Sequence, residues 1–229
     1  MRLSGDAETI LERCCKPSFV RDYRKYARKL ARKDTVSFAE ARTSEEVNAI
    51  FDTLLRQRLA RFEKLGRFDL LARPEVAAFY RDVALNGLAD GSTRLFALKC
   101  GAATVATFYA LTHRDTFHGL MISIDDEAWR SYSPGALTYS QTIEWARRQG
   151  LAYYDLAVGV PEYKTAMGLE GVQVLEFTEV LTTRGMIAAR SREAADKLEA
   201  FVRRHPALFE RLRRLRRALR RATTRARPT

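Results

Sequence analysis

The chain has 229 residues, of which 46% are hydrophobic and 30% charged, and its formal net charge is +12. This composition excludes a largely disordered chain and suits one globular domain, with or without helical extensions. The charge is uneven, because residues 203–227 hold eleven Arg and one Glu and leave a balance of only +2 (12 minus 10) for the rest. The basicity therefore characterises the C-terminal tail rather than the whole chain.

The cysteines and histidines indicate neither a disulfide framework nor a metal site. The three Cys are odd in number and Cys14 and Cys15 are adjacent, so reduced thiols are expected. His113, His118 and His205 are too scattered to complete a zinc site. The sequence shows no signal peptide and no apolar stretch of about 18 residues, so we expect a cytoplasmic protein without a membrane span.

The period of the hydrophobic residues predicts the following elements in chain order. The N-terminal half is expected to contain a helical segment over 1–33, a strand over 35–41, a helix over 43–65, a helix from Pro74, and strands over 94–99, 102–111 and 116–123. The rest is expected to contain a helix over 134–149, a strand over 152–158, a loop or short helix over 161–168, a strand over 172–182, and helices over 186–202 and after Pro206.

This order predicts an α/β (α+β) fold with a mixed, mostly antiparallel twisted sheet flanked by helices, and a basic helical extension at the C-terminus. The strands over 94–123 are joined by short turns and should form an antiparallel meander. We divide the chain into an N-terminal basic helical segment (1–34), a central domain (35–184) and an Arg-rich helical tail (185–229).

Residues 129–136 leave a predicted strand and enter a helix. The first N–H groups of a helix have no partner within it, and the helix dipole places partial positive charge there, which suits a diphosphate. Gly135 permits close backbone approach, and Pro134 is favoured at the first helical position. Ser133 is expected to cap the helix, and Arg130 adds a cation. An ordinary N-capped helix explains the same residues, so both interpretations remain open.

Residues 153–168, YYDLAVGVPEYKTAMG, form the second informative segment. Asp155 lies inside an apolar strand, where a carboxylate must be paired or face a polar cavity. It is therefore either one member of an ion pair, with Lys164 or an Arg as its partner, or a base or substrate-orienting group. Tyr163 is either packed under the loop or placed to give a proton to a departing thiolate.

The C-terminal tail predicts a basic amphipathic helix, because Leu208, Leu212, Leu215 and Leu219 share one helical face and Arg fills the others. Three interpretations remain open: a solvated helix docked by its leucines, contact with an anionic membrane surface, and nucleic-acid binding. The basic run 203–227 has a single aromatic residue, Phe209, and therefore little capacity for base stacking, which makes nucleic acid the weakest of the three.

The segment from Ser133 to Gly168 resembles the acetyltransferase domain of the CelD-like group, named for cellulose biosynthesis. The resemblance rests on the Ser-Pro-Gly helix start, on Gly150-Leu151, on Asp155, on Gly159 and on the pair Tyr163-Lys164. It extends upstream, where residues 21–33 are similar to the basic helix of that group, and covers about 19–168. Members usually carry another similar half before that helix, so we expect a short or truncated variant.

This resemblance implies a GNAT-type fold related to the FemABX-type transferases. In such enzymes acetyl-CoA or another acyl-CoA binds between two strands that part, and its diphosphate lies on the helix that follows, here residues 134–149. The implied donor-binding residues are Arg130, Ser133, Pro134, Gly135 and Ala136. An amine or hydroxyl of a small molecule or saccharide, such as a cell-envelope precursor, attacks the thioester directly.

The same resemblance implies catalytic roles for three residues: Asp155 as base or orienting group, Tyr163 as acid, and Lys164 as charge partner or anion clamp. Two other hypotheses remain. One is FemABX-like aminoacyl transfer, in which the basic runs hold tRNA and no CoA binds. The other is a non-catalytic GNAT-like domain that binds a membrane or a partner protein. It is favoured by the donor loop, residues 130–136, which only approximates the Gln/Arg-x-x-Gly-x-Gly/Ala pattern of the superfamily.

Overall fold

A computed structural model describes residues 1–157, 162–171, 175 and 177–204. The helices are α1 (Ile10–Cys14), α2 (Pro17–Ala31), α3 (Ser44–Lys64), α4 (Pro74–Asp90), α5 (Asp126–Trp129), α6 (Pro134–Arg148), α7 (Glu162–Ala166) and α8 (Thr183–Arg204). The strands are β1 (Val36–Glu40), β2 (Thr93–Cys100), β3 (Ala103–His113), β4 (Thr116–Ile124) and β5 (Tyr153–Asp155). Short 3-10 turns occupy Leu70–Ala72 and Arg130–Tyr132.

The chain divides into two compact units, Met1–Gly171 and Val172–Thr229. The first unit holds a five-stranded sheet in the order β1-β2-β3-β4-β5. Neighbouring strands are antiparallel except β4 and β5, which run parallel. The predicted mixed, mostly antiparallel sheet with flanking helices is confirmed.

Helices cover both faces of this sheet. On one face α6 packs against β3 and β4, with α1 and α2 beside it, around an aromatic core that includes Phe96, Phe108, Phe117 and Tyr154. On the other face α3 and α4 pack against β2, β3 and β4 around a second core. Burial of these apolar side chains is the main source of the fold's stability.

The predicted N-terminal helical segment is wrong for its first residues. Leu3 N–H donates to Ala152 O at 2.7 Å and Tyr154 N–H donates to Met1 O at 2.9 Å, so the first residues lie along β5 instead of forming a helix. The helical part that follows is split into α1 and α2. The split falls before Pro17, whose ring nitrogen has no N–H for a helical hydrogen bond.

Of the elements predicted at the C-terminus, one strand is absent from the described residues and one helix is present. The strand predicted over 172–182 is wrong for 175 and 177–182, because none of these described residues lies in a strand. The helix predicted over 186–202 is present as α8, which begins three residues earlier. The second basic helix after Pro206, with its leucine stripe, lies outside the described residues. Within the described part of the chain, no helix is long and apolar enough to cross a membrane.

Candidate active site

The parallel strands β4 and β5 separate after three paired positions. The pairs are Thr116 with Tyr153, Phe117 with Tyr154 and His118 with Asp155. Beyond them, and among the residues that the structure describes, 119–124 of β4 pair only with β3. We call the space along this unpaired side of residues 119–124 the β4–β5 gap.

The chain after β5 is held in a turn that ends the pairing. Ala157 adopts a positive φ of 56°, which an L-residue adopts only when its surroundings impose it. Lys164 supplies part of that constraint, because its Nζ donates to Leu156 O at 2.6 Å and to Ala157 O at 2.9 Å. Burial lowers the pKa of Lys164, and the charge of Asp155 opposes this effect. Lys164 therefore shapes the start of the gap.

A β-bulge marks the same place on β4. Gly119 pairs with Ala110 and Met121 pairs with Tyr109, which leaves Leu120 as the extra residue. Such bulges re-aim backbone and side chains and are common beside active sites. Here the bulge lies at the first residues of the gap, where β4 has lost its second neighbour.

The N-terminus of α6 lies over the far end of the gap. A Cβ at Gly135 would lie 3.0 Å from Ile124 Cδ1 and 3.9 Å from Ile122 Cδ1, so the glycine backbone rests on these side chains of β4. Pro134 is the first helical residue, as predicted, and it has no N–H. No described residue accepts a hydrogen bond from Gly135 N–H. Polar backbone groups and partial positive charge therefore meet the gap here.

Ser133 does not act as predicted. It adopts a left-handed conformation (φ 50°, ψ 51°), and its side chain makes no capping hydrogen bond. Its carbonyl instead accepts the N–H of Ala136 at 3.0 Å, and its own N–H donates to Arg130 O at 3.1 Å. The expected side-chain cap is wrong because the left-handed backbone replaces the extended conformation that a capping serine usually has.

A pocket of about 320 Å³ lies beside this end of β4, lined by Gln57, Ala60, Arg61, Lys64, Leu65, Ile124, Asp125 and Arg130. Three of these side chains are cations: Arg61 and Lys64 of α3, and the sequence-predicted Arg130. One carboxylate, that of Asp125, belongs to the same lining. Cations clustered in a concave site favour an anionic ligand.

A buried polar network fixes the wall of this pocket. Ser123 Oγ donates to Gln57 Oε1 at 2.7 Å and lies 3.1 Å from Thr107 Oγ1. Gln57 Nε2 donates to Thr104 O at 2.8 Å. Because every partner is satisfied, the network joins α3 to the sheet firmly.

At the near end of the gap, His118 and Asp155 form a pair. His118 Nδ1 lies 3.4 Å from Asp155 Oδ2, and Asp155 Oδ1 accepts the N–H of Ala157 at 2.9 Å. The side chains are 36% and 54% exposed. Asp155 therefore lies at the exposed end of a three-residue strand, and the prediction that it lies inside a longer apolar strand is wrong. The described residues contain no cluster of three His, Cys, Asp or Glu suited to a metal ion.

Sequence reasoning missed His118, since its partner depends on the register between two strands separated by a helix. The only signal in the sequence was a histidine inside an otherwise apolar strand. A carboxylate beside one imidazole nitrogen orients the ring. Within the described part of the chain, no hydrogen bond engages His118 Nε2, so this nitrogen is available to a substrate.

Tyr163 stacks on α6. Its ring lies 5.5 Å from that of Tyr139, with an interplanar angle of 7°. Burial raises the pKa of Tyr139, and the contact with Tyr163 raises it further. Tyr163 itself is 45% exposed. Its phenol is thus fixed by stacking yet open to solvent, while the predicted Gly159 and the rest of 158–161 lie outside the described residues.

The described geometry brings the two sequence segments together around one gap. Residues 133–136 lie at its far end, and Asp155 and Lys164 lie at its near end. Tyr163 is joined to the donor helix through Tyr139. This arrangement places a helix N-terminus and a group of titratable side chains around the same gap.

The family described as "Acetyltransferase (GNAT) domain" matches residues 17–165. The chain therefore belongs to the GNAT acetyltransferase family, whose members transfer an acyl group from acyl-CoA. No curated protein matches the sequence.

Several solved structures are similar to this chain. An aminoglycoside acetyltransferase from an uncultured soil metagenomic sample, in complex with sisomicin, is 14% identical, with a TM-score of 0.47 over 64% of this chain and 97% of its own. A GCN5-related N-acetyltransferase from Ralstonia eutropha is 19% identical, with a TM-score of 0.43 over 63% and 99%. An N-acetyltransferase from Thermoplasma acidophilum, in complex with coenzyme A, is 7% identical, with a TM-score of 0.39 over 50% and 75%.

Proposed function

We propose that this protein transfers an acetyl group from acetyl-CoA to an amine or hydroxyl of a small-molecule or saccharide acceptor. The observation that carries the proposal is the separation of β4 from β5 after His118 and Asp155, with the N-terminus of α6 over the opened side. One gap thus combines an anion-binding end and a proton-transfer end, which is what an acyl-CoA thioester and its attacking nucleophile require.

The residues of the donor end fit the diphosphate of acyl-CoA. Gly135 has no side chain, so the backbone can approach a phosphate closely, and its N–H, together with the positive end of the α6 dipole, favours negative charge. Arg130 adds a cation at this end, and Ser133, Pro134 and Ala136 form the remaining backbone of the site. The unpaired backbone of 119–124 offers polar groups to the amide-rich arm that joins the diphosphate to the thioester.

The near end supplies the chemistry of the transfer. Acyl-CoA supplies the thioester carbonyl, and the attacking acceptor forms the new C–N or C–O bond as the C–S bond breaks. His118 takes the proton of the attacking group on Nε2, while Asp155 orients the imidazole. Tyr163 gives a proton to the departing thiolate and regains one from solvent.

Two arguments narrow the class of acceptor. The saccharide class follows from the sequence resemblance to the CelD-like group, while a polar acceptor fits the exposed rim formed by His118 and Asp155. Acetyl is proposed as the acyl group because it is the usual group of the family. A cytoplasmic location at the inner membrane face, with the basic tail on anionic lipid, remains part of this proposal.

Calorimetric titration of the purified protein with acetyl-CoA tests the donor end directly. We expect micromolar binding to the unaltered protein and loss of binding in Gly135→Glu, because a carboxylate there repels the diphosphate. Gly135→Ala is the matched control. Its Cβ meets only the end of the flexible Ile124 side chain, so it should retain most of the affinity.

Transfer is then followed by thiol release in the presence of a panel of amino sugars and polyols. Acetylated product that depends on the protein would support the proposal. A folded protein that binds neither acetyl-CoA nor longer acyl-CoAs would contradict it, and would favour aminoacyl transfer or a non-catalytic binding domain.

A further inference from the structure

Helix α2 contacts the loop that leads into α6. Lys29 Nζ donates a hydrogen bond to Ser131 O at 2.9 Å and lies 4.5 Å from the centre of the Tyr132 ring. One turn further along, Lys33 Nζ lies 5.5 Å from the centre of the Trp129 ring. The two aromatic rings lie 5.7 Å apart. Lys29 of α2 and Lys33, two residues beyond the end of this helix, therefore both contact the loop.

Apolar packing sets the distance between the helix and the loop. Leu30 is fully buried and belongs to the same core cluster as Trp129, with Tyr26 and Tyr132 packed against that cluster. Lys29, next to Leu30 on the helix, thus lies over the loop while its side chain remains exposed. Cation–π contacts combined with a charged hydrogen bond favour one lysine conformation over its many alternatives.

The loop needs such support from outside. Ser133 holds a left-handed backbone conformation without a capping bond from its own side chain. A residue other than glycine keeps such a conformation only where its surroundings impose it. Arg130 to Tyr132 form a single 3-10 turn directly before Ser133, and Lys29 binds the carbonyl in the middle of that turn.

We propose that Lys29 is a positioning residue for the donor site: it fixes the turn at Arg130–Tyr132, and with it the entry into α6, for binding of the acyl-CoA diphosphate. This inference rests on the proposed function. It predicts an effect on donor binding and none on the chemical step at saturating donor, because Lys29 contacts only the loop.

The test compares Lys29→Met with Lys25→Met. Both remove one exposed cation from α2, and Lys25 also lies over a ring, that of Tyr26, but it has no contact with the donor loop. We expect Lys29→Met to weaken acetyl-CoA binding roughly tenfold, the factor that a 1.4 kcal/mol loss represents, with kcat unchanged. Lys25→Met should change the affinity less than twofold, since it loses only a distant charge.

Two further measurements separate positioning from charge. Lys29→Arg keeps the charge and a donor and should restore most of the affinity. In the free protein, hydrogen exchange over 130–137 should accelerate in Lys29→Met and remain unchanged in Lys25→Met.

Equal donor affinity in Lys29→Met and Lys25→Met would overturn the inference, and so would a fall in kcat at unchanged affinity. An unaltered protein that does not bind acetyl-CoA would overturn the proposed function and this inference together. Normal binding by the unaltered protein, without a difference between the two variants, would overturn this inference alone.

Discussion

The two ends of β4 differ in their surroundings although they belong to one strand. Residues 116–118 lie between two strands, above the aromatic core that contains Phe117 and Tyr154. Among the described residues, 119–124 have a strand on one side only, and they lie beneath the N-terminus of α6. One strand thus has a closed end, 116–118, that is paired on both sides, and an open end, 119–124, with His118 and Asp155 at the boundary between them.

Substitution of His118 or Asp155, at the boundary, should have the largest effect on kcat. Because His118 is assigned the proton of the attacking group, we expect His118→Ala to lower kcat by about 10²- to 10⁴-fold with little change in Tm. Asp155→Asn should lower it less, since the imidazole remains. Steady-state kinetics with saturating acetyl-CoA measures both.

His113→Ala is the matched control, because His113 is an exposed histidine and the last residue of β3. Its activity should equal that of the unaltered protein. If His118→Ala keeps its activity but has a lower Tm, His118 contributes to the stability of the closed end and its assignment as general base is wrong.

The next effect concerns the leaving group at the open end. Tyr163→Phe keeps the stacking on Tyr139 and removes the phenol proton, so we expect kcat to fall by roughly 10- to 100-fold with unchanged donor affinity. Tyr153→Phe, which removes a similarly exposed hydroxyl from β5, should not change kcat. Full activity of Tyr163→Phe would show that water protonates the thiolate.

At the point where the two ends meet, Gly119→Ala should act on stability. Its Cβ would lie 2.5 Å from Phe108 Cζ and 2.6 Å from Leu156 Cδ2, so we expect overpacking to lower the free energy of unfolding by about 1–3 kcal/mol. Urea denaturation measures this change. In a Leu156→Ala background the cost should shrink, because one of the two obstructing side chains is gone. An equal loss of unfolding free energy in both backgrounds would show that contact with Leu156 does not cause the destabilisation.

The smallest effect belongs to the closed end. Tyr154 is fully buried, and its hydroxyl lies 2.8 Å from Thr142 Oγ1. Tyr154→Phe removes this hydrogen bond and should lower the free energy of unfolding by about 1 kcal/mol without affecting kcat. Tyr153→Phe, in contrast, should leave stability within a few tenths of a kcal/mol, as expected for an exposed hydroxyl. A loss of activity in Tyr154→Phe would contradict the division between the two ends.

The sequence predicted the bounds of the strands and helices in this region better than the contacts between them. β4 was predicted over 116–123 and ends one residue later, and α6 begins at Pro134 as expected. Period and capping signals are local, so the sequence contains them. The extent of β5 was overestimated, because the apolar run after Asp155 gives no sign of the left-handed Ala157 that ends the strand.

The pairing of residues distant in sequence accounts for what was missed. His118 and Asp155 meet through a strand register, and Lys29 reaches Ser131 across 102 positions. Neither contact leaves a periodic signal. The helix start at Pro134 was predicted correctly because it is a local feature, whereas the general-base candidate required the sheet.

The extra residue in β4 has a consequence for how this strand compares with those of relatives. Successive residues of a regular strand point to opposite sides, so positions four apart should point to the same side. Phe117 and Met121 nevertheless belong to different cores, since Leu120 reverses the phase between them. Deletion of Leu120 would restore the regular alternation, and residues 121–124 would keep both their β3 partners and their present sides. An ungapped alignment of this strand with an unbulged one would place every later residue on the wrong side.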